Sequence, residues 1–194
     1  YETLMGDCAA LLAEAARAAG ATQFTFRGKT VDPYAAPERL SVAEAFERHA
    51  GVDLLATVAG GQGDTKALAA AAAKAGVATA ADDTWGDIFS RILAERVEPH
   101  LGLGRATLLY EYALPLAALA RAKPGSDKVA ERFELYACGV ELANAFGELT
   151  DVAEQRRRFE AAMAEKQRIH GERYPVDEDF LAALAAMPQA SGIA

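Results

Sequence analysis

The chain has 194 residues, of which 52% are hydrophobic and 25% charged, so it can bury a core and is not a disordered polymer. Its 20 Lys and Arg against 28 Asp and Glu give a net charge of -8, which argues against a general binder of nucleic-acid phosphates. Two cysteines, no basic-then-apolar start and no membrane-length apolar run predict one domain in the reducing cytoplasm, without a membrane partner.

Apolar spacing and breaker residues predict the elements of the first half. We expect a capped helix from residue 42, because Ser41 followed by Glu44 is the pattern of a capping box. The other expected elements are a helix over 2–19, a strand over 22–26, a loop around 32–37, a flexible break at 60–63, a helix over 65–75, a helix from Asp83 to near Pro99 and a strand over 107–113.

Residues 128–151 are the most informative segment. Val and aromatic residues, with Gly139 and Gly147 inside the run, favour two antiparallel strands that turn near Cys138-Gly139. One amphipathic helix is the alternative, because glutamates repeat every seven residues, and periodicity alone leaves the choice open. Helices are expected over 151–170 and 177–184, followed by a final stretch at 191–194.

Three glutamates in this segment, Glu134, Glu141 and Glu148, stand among apolar neighbours. A buried carboxylate is costly unless a cation or hydrogen-bond donors meet it, so a metal ion or an ammonium group among them would explain the pattern. The alternative is a solvated face that carries all three. Strand alternation places Asn144, Phe146 and Glu148 on one face and Glu141 on the other. A site shared by Glu141 and Glu148 therefore requires a β-bulge or a twist between them.

Other candidate sites are weak. The glycines at 60–63 lack the order of a phosphate-binding loop. His49, His100 and His170 show no metal-ligand spacing and are expected at the surface or at helix ends. Cys138 is expected to be a small core residue.

Three stretches carry a resemblance to a known family: Ala130 to Tyr136 (AERFELY), Gly139 to Asn144 (GVELAN) and Phe146 to Asp151 (FGELTD). They resemble the class II lysyl-tRNA synthetase family, and more closely its shortened paralogues, the elongation factor P lysine ligases. The resemblance implies an α/β fold with an antiparallel sheet flanked by helices. It also implies that residues 1–194 are part of a catalytic domain, with a helical insertion over about 41–105.

The resemblance implies binding roles for six residues. It implies no residue that forms a covalent bond with the substrate. Glu134 and Leu135 match positions beside ATP, and Glu134 and Glu141 match positions that can hold Mg²⁺. The implied substrate-binding positions are Glu141, Asn144 at the carboxylate end of the amino acid, Phe146, and Glu148 at the side-chain ammonium. A carboxylate that faces an ammonium group would reject uncharged side chains.

The implied activity is ATP-dependent activation of lysine or β-lysine as an adenylate, with transfer to a lysine of elongation factor P. A full-length homodimer is expected, and tRNA is a less expected acceptor. The alternatives are a lysyl-tRNA synthetase core and an inactive, synthetase-like interaction module. We expect 1–194 alone to be inactive, because it lacks the motifs whose arginines bind ATP in the family. Ala145 and Gly147 depart from the family's usual Gly and frequent His, whereas Ala194 favours the ligase branch.

Overall fold

The computed structural model describes residues 1–194 and contains six α-helices and ten β-strands. The helices are α1 (Glu2–Ala18), α2 (Val42–Ala50), α3 (Thr65–Lys74), α4 (Trp85–Ile92), α5 (Val152–His170) and α6 (Glu178–Ala186). The strands are β1 (Phe24–Phe26), β2 (Lys29–Asp32), β3 (Glu38–Ser41), β4 (Val58–Ala59), β5 (Gln62–Gly63), β6 (Gly104–Arg105), β7 (Thr107–Tyr110), β8 (Arg132–Ala137), β9 (Val140–Gly147) and β10 (Ser191–Ile193).

A five-stranded sheet in the order β10-β9-β8-β7-β3 organises the molecule. Every neighbouring pair in it is antiparallel except β3 and β7, which run parallel. Strands β1, β2 and β6 form a second small sheet, and β4 pairs with β5. The predicted α/β class, an antiparallel-rich sheet with flanking helices, is confirmed.

The two faces of the main sheet contact different cores, because successive strand residues point to opposite sides. On one face, Leu109 and Tyr136 join a cluster of 21 buried residues that includes Phe46 of α2 and Phe89 of α4. On the other face, Phe133 and its neighbours pack against α1 in a cluster of ten. Strand β8 is therefore covered on both sides, whereas most residues of β9 are half-buried or exposed.

The glutamate segment is a hairpin, and the single-helix alternative is wrong. Strands β8 and β9 are joined by the two residues Cys138 and Gly139, with φ angles of 56° and 72°. Two-residue hairpin turns favour this left-handed region because it matches the twist of the flanking strands. Cys138 is buried as predicted, but it lies in the turn and not within a strand.

All six predicted helices are present, and all except α1 have an N-cap formed by a local side chain. Ser41 and Glu44 make both hydrogen bonds of a capping box at α2. The cap of α4 is Thr84, with Asp87 as its reciprocal partner, and not Asp83 as predicted. After Ile92 the chain continues as a π-helical turn (Leu93–Val97) and a 3₁₀ turn (Glu98–His100).

Three predictions of local structure need correction. The break at 60–63 is the β4–β5 hairpin and its turn, where Gly60 and Gly61 both have positive φ. Strands β2 and β3, which flank the predicted loop, are not among the predicted elements. Strand β2 forms a local hairpin with β1 through Arg27-Gly28, whereas β3 pairs with β7, about 70 residues away in sequence. The strands predicted over 22–26 and 107–113 are shorter, beginning at Phe24 and ending at Tyr110.

Between β3 and β6 the chain is mainly helical, with α2, α3 and α4 packed on one face of the sheet. None of the six helices combines the length and the apolar character that crossing a membrane requires.

Gly102 packs directly against the backbone at the end of β8. Its φ is 62°, and an added Cβ would lie 2.7 Å from backbone atoms of Tyr136 and Ala137. We predict that Gly102→Ala lowers the free energy of unfolding by about 2–4 kcal/mol, because backbone atoms cannot move aside.

The matched control is Gly104→Ala. Gly104 has a φ of 75° but open space around its Cβ position, so only the conformational cost of about 1–2 kcal/mol applies. Urea unfolding of both variants measures the difference, and equal losses would contradict the close contact.

Candidate active site

One face of the β8–β9 hairpin collects the polar residues of the segment. Arg132, Glu134 and Tyr136 alternate along β8 and so share that face. Across the pairing, Arg132 lies opposite Phe146 and Glu134 lies opposite Asn144. The hairpin thus brings residues about ten positions apart in sequence into adjacent pairs.

A β-bulge places Glu141 on the same face. Leu135 pairs with Ala143, but Tyr136 pairs with Glu141, which leaves Leu142 as the extra residue of β9. Because an extra residue reverses the alternation, Glu141 joins Asn144 on the face of Glu134. This is the bulge that a shared site requires.

Glu134 is 5% exposed and its carboxylate meets four donors. The hydroxyls of Tyr112 and of Tyr136 (2.7 Å) donate to Oε2. Arg132 Nη2 at 2.8 Å and Asn144 Nδ2 at 3.4 Å donate to Oε1. All the acceptor positions of a carboxylate are then in use, which compensates for its burial.

Two further contacts hold the arginine of this cluster. Arg132 Nη1 donates to the carbonyl of Leu116 at 3.1 Å, and its guanidinium lies 4.5 Å from the centre of the Tyr112 ring. Burial, and then the charge of Glu134, raise the pKa of both Tyr112 and Tyr136 far above the usual value. Both phenols therefore stay protonated and act as donors.

Two acidic groups lie beside this cluster without cationic partners. Burial, and then the charge of Glu134, raise the pKa of Glu141. The same two causes, in the same order, raise the pKa of Glu98, which belongs to the 3₁₀ turn after α4. The charge of Arg132 partly opposes the rise in the pKa of Glu141. The exposed side chain of Glu141 makes no hydrogen bond or ion pair, so its carboxylate is free to bind a cation.

Glu148 lies farther along, just beyond the end of β9. Partial burial raises the pKa of its carboxyl, and no neighbouring charge contributes. Its Oε1 approaches Gly192 of β10 so closely that a Cβ at Gly192 would lie 2.7 Å away. The structure therefore groups Glu134 and Glu141, and leaves Glu148 as a separate acidic group toward β10.

The remaining predicted residues divide between the two faces. Asn144 exchanges both backbone hydrogen bonds with Ala194 at 2.9 Å, and its side-chain Oδ1 is buried without a donor. Phe146 is half-buried on the face of Glu134 and packs against small alanines. Leu135 lies in the smaller core on the opposite face, so only its backbone is placed for a nucleotide contact.

Sequence reasoning did not name Arg132, Tyr136, Tyr112 or Glu98 as site residues. Arg132 and Tyr136 stand two positions on either side of Glu134, so strand alternation alone was a usable signal for both. Tyr112 and Glu98 lie 22 and 36 residues before Glu134 in sequence, and only the tertiary fold brings them close.

A magnesium ion fits this site only in part. The chain contains no group of three or more His, Cys, Asp or Glu side chains that could hold a metal ion. Glu141 offers a free carboxylate, whereas Glu134 could coordinate directly only if one of its four donors left. Mg²⁺ often takes one or two carboxylates and completes its shell with substrate phosphates and water, which suits this arrangement.

The two departures from the family pattern have local structural reasons. The methyl group of Ala145 is fully buried in the smaller core, on the face opposite Glu134, so it does not form a wall of the site. At Gly147, a Cβ would lie 2.5 Å from Glu131 Oε2 and 3.0 Å from Arg121 Nε. The ion pair of these two residues occupies the space that a larger side chain would need.

The three histidines lie at helix ends, as predicted: His49 in the last turn of α2, His100 in the 3₁₀ turn and His170 at the end of α5. The rings of His49 and His100 stack with centroids 4.4 Å apart and planes 4° apart. Burial, and then the neighbouring His100, lower the pKa of His49.

Comparison with known proteins identifies the family. The model of class II tRNA synthetases (D, K and N) matches residues 14–194. The chain belongs to this family. Its glutamate hairpin is therefore part of a class II synthetase domain.

Several similar curated proteins carry the name elongation factor P–(R)-β-lysine ligase. The protein from Proteus mirabilis (strain HI4320) is 40% identical over 162 residues, which is 82% of this chain and 48% of the relative. Those from Edwardsiella ictaluri (strain 93-146) and Klebsiella pneumoniae (strain 342) are 41% and 39% identical over 160 residues, which is 81% of this chain and 47% of each relative. The chain spans about half the length of the curated relatives that it matches.

The raised pKa of Glu141 leads to a prediction about pH. A carboxyl whose pKa is higher in the folded than in the unfolded state favours folding when it is protonated, and that contribution is lost as pH rises through the folded-state pKa. Glu141→Gln should therefore raise the Tm slightly at pH 7–8 in metal-free buffer, because solvent screens an exposed carboxylate, and the gain should disappear below about pH 4.5.

Thermal unfolding between pH 4 and pH 8 measures this effect. Glu160→Gln, at an exposed position of α5, is the matched control and should leave the Tm unchanged at every pH. A Glu141→Gln protein with a lower Tm at pH 8 would show that this carboxylate is not under electrostatic strain.

Proposed function

We propose that the protein activates lysine or β-lysine with ATP and transfers it to a lysine side chain of elongation factor P. The observation that most directly supports this is the single hairpin face that carries Glu134, Glu141 and Asn144 within a class II synthetase domain. The relatives' shared name supports (R)-β-lysine as the amino acid and elongation factor P as the acceptor. Catalysis in the cytoplasm by a full-length homodimer remains part of this proposal.

The proposed chemistry has two steps. The carboxylate of the amino acid attacks the α-phosphate of ATP, which forms the aminoacyl-adenylate and releases pyrophosphate. The amine of the acceptor lysine then attacks the carbonyl of the adenylate, which forms an amide and releases AMP. Both steps proceed by positioning and charge stabilisation, without a covalent enzyme intermediate.

Glu134 would hold the backbone in place at the part of the site that binds the nucleotide. Its four donors hold the carboxylate in one orientation, so the neighbouring backbone of Leu135 has a defined position beside the nucleotide. A Mg²⁺ ion bound through Glu141 and the phosphates would neutralise phosphate charge. Arg132 supplies a second positive charge at the same face.

Glu148, Asn144 and Phe146 would hold the amino acid. Glu148 is partly buried without a cation, so a substrate ammonium group would supply the missing partner as a charge-assisted hydrogen bond. Asn144 Oδ1 is a buried acceptor without a donor, which an N–H group of the substrate could satisfy. Phe146 offers an apolar surface on the same face.

Pyrophosphate exchange by the full-length protein tests the activity. We expect exchange that depends on lysine or (R)-β-lysine and, when acceptor is added, formation of modified elongation factor P. Charging of lysine tRNA instead would favour a lysyl-tRNA synthetase. ATP binding without exchange for either amino acid would favour an inactive interaction module.

The role of Glu148 gives a sharper prediction. Glu148→Gln keeps the size of the side chain and removes its charge, so the KM for the cationic amino acid should rise about 10- to 100-fold, because a charge-assisted contact contributes about 1.5–3 kcal/mol. The Kd for ATP should change less than about twofold.

Steady-state exchange kinetics and ATP titration measure these two quantities separately. Glu160→Gln, on the exposed surface of α5, serves as the matched control and should change neither. An unchanged KM in Glu148→Gln would remove Glu148 from the amino-acid site.

A further inference from the structure

A cleft outside the glutamate face lies between helix α5 and the segment 114–119. Its volume is about 470 Å³, which is within the range of small-molecule sites. Its walls include Leu114, Leu119, Gln155, Arg157, Arg158 and Phe159. Half of them are apolar, and the only charged residues are two arginines.

Gln155 is the unusual residue of this cleft. Gln155 is only 2% exposed, yet its side-chain Nε2 has no hydrogen-bond partner. Buried polar groups are nearly always paired, and each exception needs an explanation. An unpaired amide donor in the wall of a cleft is explained if it serves an acceptor atom of a ligand.

Two arginines add charged donors at the same place. Arg158 is fixed, because its Nη1 donates to the carbonyls of Ala118 and Ala120 at 2.7 and 2.8 Å and its Nε donates to Glu154. Arg157 is held by two hydrogen bonds to Glu154, each 2.7 Å long. Arg158 Nη2 and Arg157 Nη1 remain without partners among the hydrogen bonds of the chain.

The only charged groups in the wall of the apolar cleft are guanidinium groups, which favour an anion. Glu154 belongs to the adjoining, more polar cleft and is not part of the apolar one. Hydrogen bonds from Arg157, with a smaller contribution from Arg158, lower the pKa of Glu154 to about 2, so it stays ionised and offsets one of the two positive charges. Asp127 also lines the adjoining cleft, so the attraction for an anion comes from the free guanidinium nitrogens in the apolar cleft and not from a net charge.

We propose that this cleft binds a small carboxylic acid with an apolar body. Its carboxylate accepts hydrogen bonds from the Gln155 amide and the free arginine nitrogens, and its body packs against Leu114, Leu119 and Phe159. A carboxylate bound by both an amide and a guanidinium gains charge-assisted hydrogen bonds that an alcohol of the same shape cannot form.

The cleft also borders the glutamate face. The segment 114–119 that forms one wall carries the Leu116 carbonyl, which accepts a hydrogen bond from Arg132, and Arg132 in turn binds Glu134. The proposal does not depend on the proposed adenylate chemistry, because its test measures binding and stability and not turnover.

The test uses 4-phenylbutyrate and 4-phenyl-1-butanol with the full-length protein in isothermal titration calorimetry. We expect millimolar or tighter binding of the acid, and binding of the alcohol that is at least about tenfold weaker. Gln155→Leu should weaken binding of the acid about tenfold. The same substitution should leave the Tm unchanged or higher, because an apolar side chain of similar size removes an unpaired buried group.

Two further variants complete the test. Gln167→Leu, at an exposed position of the same helix, should bind the acid as the wild type does. Ala162→Trp should fill the cleft and abolish binding without unfolding, because Ala162 is an exposed residue of its wall.

Four results would overturn the proposal: no binding of the acid to the wild type, equal binding of acid and alcohol, unchanged affinity in Gln155→Leu, or a lower Tm in Gln155→Leu. The last result would assign Gln155 a structural role in place of ligand binding.

Discussion

A carboxylate buried in a β-sheet must be surrounded by donors, and the Glu134 carboxylate is the group around which this molecule is arranged. Its donors come from its own strand, from β9 and from the segment after β7, so three stretches of chain meet at one charged group. Removing one donor would leave part of that charge uncompensated in a low-dielectric interior. The same requirement fixes Arg132 and, through it, the segment that carries Leu116.

The bulge at Leu142 converts this structural centre into a candidate site. Without the extra residue, Glu141 would face the core that contains α1, where a carboxylate has no partner. With it, Glu141 and Asn144 adjoin Glu134, and the local excess of negative charge is what a cationic ligand could balance. A site of this kind costs stability in the free protein, as functional sites commonly do.

Local patterns predicted much of the fold, and tertiary contacts account for the rest. The Ser41–Glu44 capping box and the hairpin turn at Cys138-Gly139 act within a few residues, so sequence alone revealed both. Parallel pairing of β3 with β7 joins residues about 70 positions apart, and no local pattern encodes it. Likewise, the family resemblance identified Glu134 and Glu141 as candidate site residues. Tyr112 and Glu98 come close to Glu134 only in the folded chain, so the sequence did not reveal them.

The most direct test of the central claim is a crystal structure of the full-length protein with Mg²⁺ and a non-hydrolysable β-lysyl-adenylate analogue. The account predicts an analogue lying on the Glu134 face, its amine at Glu148, a metal bound by Glu141, and Leu142 bulged out of the β9 ladder. An analogue bound on another surface, or Glu141 turned toward the core that contains α1, would contradict it.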